Sequence, residues 1–148
     1  MFAQLDTKSV YSFMDSVVDL NSYVARAKEL GYQALGLMDR DNLYAAYHFA
    51  QLASRNGLRP LIGMEANLFY EGRKIPFRLL AKNNQGYKNL MKLATELSSG
   101  QREFTAFSDY LNDIALILPS EDWEPGMTLG SEVFIGVRPE DAGKEFDY

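Results

Sequence analysis

Three acids stand close to the places where apolar runs of this chain give way to charged turns. Asp6 closes FAQLD, Asp39 follows QALGLM, and Glu65 lies inside LRPLIGMEANLFY. Carboxylates gathered at the ends of successive strands are the usual donors for a hard divalent cation such as magnesium or manganese. Asp39 and Asp41 have a second use open to them, capping the helix that follows. Glu65 has none, because a glutamate within an apolar strand needs a cation or a hydrogen-bond network to stay charged. Two basic residues stand among these acids. Lys8 lies two residues past Asp6, and Arg40 directly follows Asp39. Either they are exposed loop charges, or they neutralise the carboxylates where a metal otherwise would. In the second case they also repel an incoming divalent ion.

Other chemistry is poorly supplied. His48 is the one histidine, placed mid-helix in AAYHFAQ with no second imidazole to share a metal. Ser9 and Ser12 lack a neighbouring base, so nucleophilic catalysis is unsupported. GMEAN and NNQGY hold single glycines, which do not make a phosphate-cradling loop. The helical aromatics Tyr44, Tyr47 and Phe49 read as packing. No cysteine is present, which excludes thiolate metal sites and disulfides and fits a reducing compartment, the cytoplasm.

The elements that must position these residues follow from periodicity. Residues 2–6 read as a short strand. DLNSYVARAKELG carries Leu20, Tyr23, Val24, Ala27 and Leu30 at helical spacing, with Gly31 as its stop. Residues 33–38 form a second strand, after which Asn42 is placed to cap a helix that ends at Gly57. Residues 60–70 and KIPFRLLAK read as a strand pair joined at EGR, and Pro76 suggests an edge or a bulge there. NNQGYKNLMKLATELSSG is a third helix, followed by a short helix around FTAFSDYL, the buried strand DIALIL and the apolar segment EVFIGV. Strands alternating with helices predict an α/β fold with a mainly parallel sheet. Pattern alone leaves open whether that sheet is open or part of a barrel. In either case the working site belongs at the carboxyl ends of the strands.

With 148 residues, of which 47% are hydrophobic, the chain can bury a core, yet no apolar run is long enough to span a membrane. The net charge of −5 comes with basic residues that are scattered and never form a run. A domain that held a nucleic-acid backbone by itself would show a basic stripe. No direct nucleic-acid or membrane contact is therefore expected.

The run FAQLDTKSVYSFMDS, followed by RAKELGYQALGLMDRDNLYAAYHFAQLASRNGLRPLIGMEANL, resembles the N-terminal PHP (polymerase and histidinol phosphatase) domain of bacterial DNA polymerase III alpha subunits. FRLLAKNNQGYKNLMKLATELS and DYLNDIALILPS continue the likeness, so it covers nearly all of residues 1–148. The resemblance implies a partial (β/α)7 barrel with mostly parallel strands, helical crossovers and metal ligands at the strand ends. Where metal-binding members carry a histidine pair after the first strand, this chain has Asp6 and Lys8. The family's aspartate–histidine pair after the second strand corresponds to Asp39 and Arg40, its third-strand glutamate to Glu65, and a further histidine to Pro76. These positions read as a degenerate metal site with no catalytic residue. Asp6, Asp39, Asp41 and Glu65 are the ones that could still hold magnesium or manganese weakly.

By the same resemblance the parent would be a DNA-directed DNA polymerase, a nucleotidyltransferase that extends primers with magnesium in a polymerase domain lying beyond Tyr148. The fragment itself would be a structural module. Its partners would be the rest of the alpha subunit and other replisome proteins. A half barrel also leaves strand edges open, so self-association is expected. The apolar residues Val10, Tyr11, Phe13, Met14, Val17 and Val18 would either meet a partner or close the barrel bottom. The alternative function is a standalone metal-dependent phosphoesterase with an atypical carboxylate site.

Overall fold

A computed structural model describes residues 3–12, 17–130 and 132–137. The expected alternation is present: β1 (Ala3–Gln4), α1 (Leu20–Glu29), β2 (Ala34–Arg40), α2 (Ala46–Arg55), β3 (Arg59–Tyr70), β4 (Arg73–Ala81), α3 (Asn84–Ser98), β5 (Ile114–Pro119) and β6 (Glu132–Gly136). Two 3-10 turns, Phe104–Tyr110 and Ser120–Asp122, flank β5. The strands form one sheet in chain order. The pairs β1/β2, β2/β3 and β5/β6 are parallel, while β3/β4 and β4/β5 are antiparallel. The antiparallel break follows from the two-residue turn at Glu71 and Gly72, which sends the chain straight back.

Local chemistry explains the boundaries. The Asp19 carboxylate accepts the Ser22 N–H and caps α1, and Gly31 ends it in the left-handed region at φ 74°. Asn42 does not cap α2, contrary to expectation. The cap position is Ala45, because a turn opened by Asp41 at φ 57° delays the helix. The Asn42 carboxamide instead donates to the Tyr11 and Arg40 carbonyls and accepts from Tyr44 N–H, which pins that turn. Pro76 lies in an internal strand with no bulge, since Gly63 to Tyr70 pair with Leu80 to Arg73 without a break. It is tolerated because β5 pairs only with Arg78 to Ala81, so no ladder bond is lost on that side.

Strand alternation divides the sheet into two faces. Leu35, Leu37 and Asp39 of β2, Met64, Ala66 and Leu68 of β3, and Ile75, Phe77 and Leu79 of β4 share the face covered by the helices. The core is split on that face. One cluster lies under α1 and α2 around Phe49. The other lies under α3 and the Phe104–Tyr110 turn around Phe77 and Phe107. The opposite face is concave. In a flat sheet β1 and β4 would stand roughly 14 Å apart, three strand spacings. Yet the Asp6 carboxylate, just past β1, meets Arg78 Nε of β4 at 2.7 Å. The sheet is curled like half a barrel.

Candidate functional site

Gly36 decides how Asp6 and Lys8 enter the concave face. A Cβ at Gly36 would meet the Leu5 carbonyl oxygen at 2.5 Å, so the chain leaving β1 leans over β2 where that glycine leaves space. On the neighbouring strands, Arg40 pairs in register with Glu65, and Glu65 with Arg78. Residues in register share a face, so all three look into the concavity.

The side chains meet there in a closed set of ion pairs. Glu65, in the middle of β3, has a carboxylate only 6% exposed. Lys8 Nζ reaches it at 3.0 Å and Asp6 at 3.3 Å. Arg40 places both Nε and Nη2 on Glu65 Oε1, each at 3.1 Å. Arg78 spans the two acids, with Nε on Asp6 at 2.7 Å and Nη2 3.9 Å from Glu65. Three cations thus enclose two carboxylates, for a local charge of +1. Lys8 and Arg40 are neutralising partners, not loose loop charges.

Arg78 is the member that sequence reasoning missed. The signal was there: along β4 the apolar residues Ile75, Phe77 and Leu79 alternate with Lys74, Pro76 and Arg78, so Arg78 had to share the face of Pro76.

Asp39 is not part of this set. It lies on the helix-facing side of β2, 2% exposed. There it accepts Ser9 N–H at 2.6 Å, Ser9 Oγ–H at 2.7 Å and Ser12 Oγ–H at 2.7 Å. Ser12 Oγ in turn accepts the Arg40 N–H. The adjacent residues Asp39 and Arg40 point to opposite faces because the strand runs through both of them. Asp39 anchors the 7–12 loop, and this is the role that Ser9 and Ser12 fill. Asp41 is also outside the hub, paired with Arg102 at 2.9 Å. His48 is exposed on α2. Pro76 stands two residues from Arg78 on the concave side and offers no side-chain donor atom.

A divalent cation does not fit these residues. Each hub carboxylate is already occupied by cations, and among the described residues no three His, Cys, Asp or Glu side chains converge. Unit charges of like sign 4 Å apart repel by about 4 kcal/mol at an effective dielectric of 20, and a divalent ion doubles that against each of three cations.

The family model for the PHP domain matches residues 4–124. The chain belongs to the PHP domain family. This PHP domain is 47% identical over 137 residues to the DNA polymerase III subunit alpha of Streptococcus pyogenes serotype M1, covering 93% of the chain and 13% of that protein. It is 33% identical over 126 residues to the namesake subunit of Bacillus subtilis, covering 81% of the chain and 11% of that protein. The chain therefore spans about an eighth of the length of the curated relatives it matches, and what it matches is their N-terminal region. A crystal structure of a candidate metal-dependent phosphoesterase from Bifidobacterium adolescentis superposes with a TM-score of 0.53 at 16% identity, covering 64% of this chain and 32% of that one. That likeness concerns the fold, and it agrees with a partial PHP barrel. Among the described residues of the PHP domain, no helix is long and apolar enough to cross a membrane.

Proposed function

We propose that this PHP domain is a non-catalytic structural module of a cytoplasmic DNA polymerase III alpha subunit, one whose metal site has been replaced by ion pairs. The observation that carries this reading is the hub. Glu65 is held by Lys8 and Arg40, and Arg78 bridges it to Asp6, on the concave face where the family resemblance would put a metal centre. Cations tie β1, β2, β3 and β4 together, a cross-link that a metal would supply elsewhere.

In the intact subunit the magnesium for primer extension would belong to the polymerase domain, and this domain would work with no resident metal. Its partners are the remainder of the subunit and, through it, other replisome proteins, with no nucleic acid bound directly by this acidic piece. Val10, Tyr11 and Val17 are exposed, 93% in the case of Val17. That favours a partner over closure of the barrel bottom. Phe13 and Met14 lie outside the described residues. In isolation the free edges of β1 and β6 would support self-association.

The test is a calorimetric titration with manganese. No saturable heat up to millimolar metal is the expected result. Micromolar binding that Glu65→Ala abolishes would refute the reading and restore the phosphoesterase alternative.

A further inference from the structure

Because β3 turns directly into β4, no helix crosses between them, as one would between parallel neighbours. α2 and α3 both pack on β3 but make little contact with each other. The seam between the two halves of the core therefore opens to the outside as a groove. One part is a cavity of about 320 Å³ with Pro60, Ile62 and Ala81 on its floor and Tyr47 and Tyr87 in its walls. A second part, about 250 Å³, continues past Tyr87 to Leu43, Tyr44 and Met91. Tyr44 is 78% exposed and Tyr47 70%. The lining mixes these apolar and aromatic side chains with polar ones, among them Asn83, Asn84 and Thr95, and an exposed apolar stretch rimmed by polar residues marks an interaction surface.

We propose that this groove takes a helix from the remainder of the polymerase subunit, apolar on one face and acidic along its flank. The inference rests on the function proposed above. Three observations select that occupant. The place is the one a crossover helix would fill, between two helices and over a strand, which suits helix-in-groove docking. Next, Arg59 lines the groove, and Lys88 and Lys92 follow Tyr87 and Met91 along α3. None of the three forms an ion pair among the described residues. Acids on the incoming helix would pair with them. Finally, Asp41 lines the second cavity, and its Oδ1 is buried with no hydrogen-bond partner among the described residues. A hydroxyl or amide on the occupant would satisfy it. The relatives supply the length, since the matched region is 13% of the Streptococcus pyogenes subunit. A single strand of nucleic acid would need a basic track along its backbone, whereas Asp41 lines this groove and the chain carries a net charge of −5.

The test places a photo-crosslinking benzoylphenylalanine at position 47 or 91 in the intact native polypeptide that carries residues 1–148. The expected product is a crosslink within one polypeptide, to an apolar helical segment past residue 148, and with the probe at position 91 Tyr47→Asp reduces its yield at least fivefold. An active polymerase subunit whose crosslinks go to DNA, to a second copy or nowhere leaves the proposed function standing and overturns the groove. A native polypeptide that ends at Tyr148 and takes no part in primer extension overturns both.

Discussion

Glu65→Gln removes one charge and almost no volume, so its cost isolates what the hub contributes. The carboxylate is nearly buried, and its cation partners Lys8, Arg78 and Arg40 have side chains 17%, 24% and 40% exposed. Removing one partner from a fully buried pair costs about 3–5 kcal/mol, while an exposed pair contributes about 0–1 kcal/mol. The hub lies between these limits. Asp6 can keep Lys8 and Arg78, and Arg40 can turn toward water, so a loss of about 2 kcal/mol follows. For a chain of this length that is roughly 4–8 °C of melting temperature. Urea and thermal unfolding followed by circular dichroism would measure it, with Glu29→Gln as control. The Arg26–Glu29 pair is two-thirds exposed at both ends, so its loss should stay below about 0.5 kcal/mol. EDTA should leave the parent unchanged. A Glu65→Gln variant no less stable than the control, or a parent that EDTA alone brings down to the variant, would refute this role for Glu65.

Asp39→Ala should cost about 3 kcal/mol, more than Asp6→Ala, because three buried donors of Ser9 and Ser12 lose their acceptor at about 1–3 kcal/mol each, with partial relaxation. Urea unfolding of both variants checks it, and equal losses would contradict the anchoring role. Burial pushes the Tyr23 phenol up from 10.0 to about 12, while its hydroxyl donates to the Gly36 carbonyl. The folded state then holds this proton more tightly than the unfolded one. That stabilisation is complete below pH 10 and drains away as pH rises through about 12. Tyr23→Phe should flatten the decline in stability across that interval, and an unchanged slope would place its cause elsewhere.

The alternation of strands and helices was legible from residue patterns because 3.6- and 2-residue periods report which face is buried. The turn at Glu71–Gly72 and the stops at Gly31 and Gly57 were legible for the same local reason. The blocks around QALGLMDRDNLYAAYHF and FRLLAKNNQGY sufficed for the family. Asn42 was misread because a cap and a turn-pinning amide look alike in sequence. Only the positive φ of Asp41 separates them. That Asp39 and Arg40 face opposite ways depends on one residue of strand length: ended at Met38, the strand leaves both in a loop, and extended to Arg40 it must split them. Sequence alone thus determined the elements, their order and the family. The tertiary structure decided the hub, because Asp6 and Arg78 are 72 residues apart and meet only when the sheet curls. Curl is a property of strands packed together, and no single strand carries it.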